Sequence, residues 1–150
     1  MNRAFTLIEM LVVVGIGVVI LTTTTVLLLS GQRRVAKISA EVQVLSDIRS
    51  AQTKAMAGGG TQGVSFGSNA YTLFKGISYN ANDTANFVIN LDNNINLATA
   101  FPGSEIVFLA VSGEINNYVN GSDTVSVVDA TDNTNKVIRF NKYGVAISQN

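Results

Sequence analysis

The sequence predicts an α+β fold: one long N-terminal α-helix, with a transmembrane half and an amphipathic half, packed on an antiparallel β-sheet or a two-sheet head. Three observations carry that expectation. Phe5 to Leu29 is an apolar run interrupted by one charge, Glu9. Beyond it, apolar residues recur at intervals of three and four from Val35 to Ile48, and no proline interrupts the chain before Gly58-Gly59-Gly60. After those glycines the period drops to two, and Asn, Asp, Gly and Ser separate short apolar alternations. Helix-period sequence followed by strand-period sequence indicates a sheet packed on the helix.

The first half-helix follows from length and hydropathy. Crossing a hydrocarbon core of about 30 Å takes roughly 20 predominantly apolar helical residues, and Phe5–Leu29 exceeds that. The run is not an ordinary secretory signal. Its charged leader is a single Arg3, and no small-x-small cleavage site closes it. Gly15 and Gly17 remove side chains within the span, and Thr22-Thr23-Thr24-Thr25 offers hydroxyls that can bond back to carbonyls one turn earlier and bend a helix. Such residues are tolerated in membrane helices, and they also suit a helix that must bend when packed.

The second half-helix begins after Ser30-Gly31-Gln32-Arg33-Arg34. Val35, Ile38, Val42, Leu45 and Ile48 mark one face, expected to dock the head, while Lys37, Glu41, Asp47, Arg49 and Lys54 mark the other. The triple glycine supplies the stop, because glycine takes the left-handed turn that ends helices. A single helix is therefore expected from about Phe5 to about Ala57.

Eight short strands should follow, at Val64–Phe66, Tyr71–Lys75, Phe87–Leu91, Ile95–Ala98, Ile106–Val111, Val125–Asp129, Lys136–Asn141 and Val145–Ser148. Asn120-Gly121 signals a tight hairpin turn. Ser112-Gly113 and Tyr143-Gly144 are further turn positions.

Composition excludes several classes of function. The chain has ten basic and ten acidic side chains, so it offers no broad attraction to nucleic acid. It has no cysteine, hence no disulfide, and no histidine, the commonest general base and metal ligand. No nucleophile–base pair, phosphate loop or dinucleotide fingerprint appears, and neither enzymatic activity nor a cofactor is expected.

Ala4-Phe5-Thr6-Leu7-Ile8-Glu9-Met10-Leu11-Val12-Val13 resembles the class III signal sequence of type IV pilins and type II secretion pseudopilins. The resemblance implies that a prepilin peptidase cuts between Ala4 and Phe5 and methylates the new amino terminus at Phe5. The family usually has Gly before the cut, where this chain has Ala4. It further implies that Glu9 pairs with the positive N-terminus of a neighbouring subunit during assembly. The strand half is similar, more loosely, to the heads of GspH/FimT-type minor pilins. The similarity rests on Val64-Ser65-Phe66, Tyr71 to Gly76, Glu105 to Phe108 before Ser112-Gly113-Glu114, and Val137 to Ala146.

The implied division is a leader at 1–4, a transmembrane helix at 5–29, its amphipathic continuation at 30–57 and a β-rich head at 61–150. The implied partners are other pilin or pseudopilin subunits, the prepilin peptidase, an inner-membrane assembly platform and membrane lipid. The implied location is a single pass of the cytoplasmic membrane with the N-terminus inside and the head outside, then a cell-surface or periplasmic filament. Arg33, Arg34 and Lys37 after the span would by charge alone favour the opposite orientation.

Glu9 is thus the principal site residue. A carboxylate in an apolar helix is expensive and by default functional, and pairing with an opposite charge offsets its desolvation. A pilus-tip ligand-binding role, with DNA the first ligand, is the alternative. It would rest on Arg139 and Lys142 near the last hairpin, with Tyr143 nearby for stacking. Asp129 to Asn135 is rich in oxygen donors, but it lacks the spacing of a calcium loop, and no metal site is expected.

Overall fold

The computed structural model describes residues 6–131 and 134–149, with side chains left undescribed at 23–34, 148 and 149. The chain falls into two compact units, Met1–Ala36 and Lys37–Asn150. One helix, α1 (Leu7–Met56), contributes to both.

In the first unit the helix is uncovered. Leu7 is 83% exposed and Leu21 69%, and the apolar side chains described between them are exposed as well. Thr22 turns its hydroxyl back to the carbonyls of Val18 (3.0 Å) and Val19 (2.9 Å), the local bond expected of it. The side chains of Thr23, Thr24 and Thr25 lie outside the described residues. Among the described residues no helix is long and apolar enough to cross a membrane. The span expected at 5–29 includes Phe5 and the 23–29 side chains, which are outside that set.

In the second unit the helix buries Ala40, Val44, Ile48, Ala51 and Ala55, a stripe with steps of three and four. This corrects the expected docking face. Ile48 belongs to both stripes and Leu45 is half-buried, but Ile38 (51% exposed) and Val42 face away from the core, and Val35, in the first unit, is exposed. The reason is steric. Alanines let the helix axis approach a sheet more closely than a row of branched side chains would, and close approach sets the packing.

The helix stops where the glycines predict. Gly59 N–H bonds the Lys54 carbonyl (2.9 Å), Gly58 N–H bonds Ala55 (3.4 Å), and Gly58 has φ +87°. These are the paired 6→1 and 5→2 bonds of a Schellman cap, which needs a left-handed residue at that position.

The head consists of β1 (Gln62–Phe66), β2 (Ala70–Lys75), β3 (Phe87–Asn90), β4 (Ile95–Thr99), β5 (Glu105–Phe108), β6 (Thr124–Asp129), β7 (Asn135–Phe140) and β8 (Ala146–Gln149). They form two antiparallel four-stranded sheets, ordered β3-β2-β1-β5 and β4-β6-β7-β8. Val64, Phe66, Tyr71, Ile106 and Phe108 of one sheet share the buried cluster with Ile95, Leu97, Val125, Val127, Ile138 and Phe140 of the other. The helix stripe completes it.

Polar contacts fix the helix on this core. Tyr71, 1% exposed, donates its hydroxyl to the Asp47 carboxylate, and burial together with that carboxylate pushes the phenol pKa up. Gln52 Nε2 donates to the carbonyls of Gly113 (2.9 Å) and Tyr143 (2.6 Å), tying two loops to one helical position. Lys37 donates to Thr134 Oγ1.

All eight expected strands are present, with two corrections to their connections. β5 ends at Phe108 rather than at Val111. Val111 has φ +70°, incompatible with a strand, and its N–H bonds the Ala55 carbonyl at the helix end (3.0 Å). Asn120-Gly121 makes a tight turn, closed by Ser122 N–H on the Val119 carbonyl (3.0 Å), but it joins no two paired strands. It sits instead in the connection that carries the chain from the first sheet to the second. Tyr143-Gly144 does form the β7–β8 hairpin: Gly144 N–H bonds Asn141 and Asn141 N–H bonds Val145.

Candidate functional site

The site builds from the first turn of α1. Thr6 N–H and Thr6 Oγ1 both lie 3.2 Å from Glu9 Oε2, and Glu9 N–H donates to Thr6 Oγ1 at 3.3 Å. This is a capping box: a threonine N-cap and a glutamate three residues later satisfy each other's backbone donors. A carboxylate here also complements the positive end of the helix dipole. Thr6 is thus a further residue of the site, and its sequence signal is the Thr-x-x-Glu spacing.

Glu9 is consequently held in place by its own chain while remaining exposed. No hydrogen bond to Oε1 is found among the described residues, so the carboxylate keeps acceptor capacity for a cation from elsewhere. Around it, Leu7, Ile8, Met10 and Leu11 are exposed, so any group approaching Glu9 meets an apolar wall. Ala4 and Phe5, the expected processing residues, lie outside the described residues.

The other expected site residues are engaged within the head. Arg139 Nε lies 3.5 Å from Oδ1 of Asp123, which is buried, and Tyr118 reaches the other oxygen of that carboxylate at 3.4 Å. Lys142 Nζ lies 3.4 Å from Glu114 Oε2. Each cation thus has a carboxylate beside it, which weakens the pull on a phosphate backbone. Asp129 is buried and its Oδ1 accepts from Thr131 N–H (2.9 Å), an Asx turn; Asp132 lies outside the described residues. Among the described residues no three acidic side chains gather in a way that could hold a metal ion.

Two comparisons with known proteins bear on the N-terminal motif and on the fold. The prokaryotic N-terminal methylation motif matches residues 1–25. The fold is similar to that of the minor pseudopilin EpsH from the type 2 secretion system of Vibrio cholerae, with a TM-score of 0.53 and 18% identity over 75% of this chain and 94% of that one. No curated protein matches.

Proposed function

We propose that this chain, a type IV pilin or pseudopilin by its N-terminal motif and its fold, is a non-catalytic filament subunit of the minor, GspH/FimT-like kind. In this reading it is inserted once through the cytoplasmic membrane with its head outside. It is then cleaved between Ala4 and Phe5, methylated at Phe5 and polymerised through its N-terminal helix. A secretion machine of the type 2 kind is one setting for it.

The observation that carries the proposal is the uncovered helix of the first unit, apolar along its described length and bearing one carboxylate at its first turn. Exposed apolar surface on this scale demands lipid or other helices. A lone carboxylate demands a cation, and the amino terminus of a neighbouring subunit is the nearest chemistry of that kind. Within lipid the same helix satisfies its own backbone, so transfer from bilayer to fibre leaves its hydrogen bonds intact. The role of the head is then to present an outer surface and to choose neighbours.

Mass spectrometry of protein from native filaments tests the processing step. The expected N-terminus is an N-methylated Phe5; an intact Met1 terminus overturns it. Glu9→Leu tests assembly. It should accumulate in the membrane at wild-type level and be missing from sheared filaments, and normal incorporation would refute the pairing.

A further inference from the structure

The sheet edges of the head are treated unequally. β5 is closed by the loop that follows it: Val107 N–H donates to Asn117 Oδ1 (3.2 Å), the Val107 carbonyl accepts from Asn116 N–H (2.7 Å), and Asn117 Nδ2 reaches the Glu105 carbonyl (2.6 Å). β4 is met by the Ser68 carbonyl, which accepts from Leu97 N–H. β3, the opposite edge of the first sheet, has no such cover among the described residues.

The ladder shows which groups β3 leaves open. Leu91 N–H donates to the Asn69 carbonyl (2.8 Å), and β3 pairs antiparallel with β2 through Tyr71↔Ile89 and Leu73↔Phe87. Alternation along an antiparallel pair then turns the N–H and C=O of Phe87 and Ile89 towards β2, and those of Val88 and Asn90 outward. Natural edges are usually guarded by charge, proline or a bulge. Phe87-Val88-Ile89-Asn90 has no charge and no proline, and it pairs in unbroken register. Phe87 (65% exposed) and Val88 (54%) lie on opposite faces of that edge.

Charge narrows the occupant. From Gly76 to Asn135 the chain has Asp83, Asp92, Glu105, Glu114, Asp123, Asp129 and Asp132, and neither Lys nor Arg. Asp123 and Glu114 are answered by Arg139 and Lys142. Asp83 and Asp92, exposed on either side of β3, have no ion-pair partner among the described residues. Acidic flanks repel a second copy of the same edge and attract cationic ends.

We propose that β3 is a docking edge for an extended segment of a partner protein, alternating in apolar residues and carrying Lys or Arg at its ends. Such a segment would extend the first sheet through the outward backbone groups of Val88 and Asn90, with its side chains covering Phe87 and Val88. This stands whether or not the chain enters a filament.

The test uses the full chain in nonionic detergent and a fluorescein-labelled hexapeptide of alternating threonine and valine between lysine ends, followed by anisotropy. Saturable binding is expected, with slowed amide exchange at Val88 and Asn90. Val88→Pro, whose missing N–H points to solvent and so spares the sheet, should weaken binding about tenfold, the equivalent of roughly one hydrogen bond. The same peptide with glutamate ends should bind several-fold more weakly at low salt, and Asp83→Asn with Asp92→Asn should erase that difference. No saturable binding, equal binding by Val88→Pro with an unchanged circular dichroism spectrum, or equal binding of both peptides would overturn the proposal. So would a dimer of the full chain that Val88→Pro dissolves.

Discussion

Glu9 caps the helix through Thr6 and, on the proposed reading, pairs with a neighbouring amino terminus; two substitutions divide these duties. Glu9→Gln removes the charge but keeps an oxygen that can accept from Thr6 N–H, because glutamine also serves in a capping box. Thr6→Ala keeps the charge but deletes the hydroxyl that accepts from Glu9 N–H at 3.3 Å. Losing an N-cap side chain costs about 1 kcal/mol, a factor of about five in the equilibrium at the helix start. Losing one of two unit charges about 4 Å apart, in surroundings of effective dielectric about 20, removes up to about 4 kcal/mol, close to a thousandfold in a binding constant. The assay is the amount of each variant in sheared filaments relative to the membrane fraction. Glu9→Gln should reach the membrane normally and fall at least tenfold in filaments, whereas Thr6→Ala should fall a few-fold at most. Full assembly by Glu9→Gln together with failure of Thr6→Ala would refute the pairing and leave Glu9 as a cap alone.

Other consequences concern the head. Ile48→Ala should destabilise it by about 2–5 kcal/mol in denaturant unfolding, since it empties a fully buried site, while Ile38→Ala, at a half-exposed position, should change stability by less than about 0.5 kcal/mol. Tyr71 holds its proton more tightly in the folded head than the ordinary 10.0 of the unfolded chain, through burial and the Asp47 carboxylate. Its contribution should therefore be complete below about pH 10 and decline as the pH rises beyond it, a slope that Tyr71→Phe should remove in pH-dependent unfolding. At neutral pH Tyr71→Phe should cost about 1–2 kcal/mol, because a half-buried carboxylate loses its donor. Gly63→Ala should lower the midpoint of thermal unfolding: a Cβ there would come within 2.2 Å of Phe74 Cζ, across the β1–β2 ladder, and displace that ring.

Strands and stops were legible because they depend on local rules. Alternation placed all eight strands, and Gly58-Gly59-Gly60 placed the helix end, since backbone conformation there is decided within a few residues. Features that depend on tertiary distance were not. An apolar count favours branched residues and so points to Val35, Ile38, Val42, Leu45 and Ile48, of which only the last two reach the core; Ala40, Ala51 and Ala55, which let the helix approach the sheets, weigh little in that count. The early end of β5 depends on Val111 bonding to Ala55, 56 positions away in sequence, and nothing near Val111 announces a left-handed residue. The acidic partners of Arg139 and Lys142, at Asp123 and Glu114, were likewise invisible before the sheets brought them together.

Ile38 and Val42 are exposed on the helix of the second unit. A helix that served only its own head would carry polar residues on the side turned away from it. Here Ile38 and Val42 stand on that side beside Ser39, Gln43 and Ser46, and with Asp47, which Tyr71 ties to the head, they line an open depression along the second unit. Apolar side chains flanked by small and polar ones suit a helix that is to be covered by another helix after folding, because small neighbours permit close approach and polar ones keep the unassembled head soluble. On the filament reading proposed above, the second unit would supply assembly surface of its own, separate from the carboxylate at the first turn. Substituting Val42 with Glu should leave the head folded and reduce filament incorporation even with Glu9 intact. If Val42→Glu assembles normally, the surface needed for polymerisation lies in the first unit alone, and the exposed pair Ile38 and Val42 has no part in it.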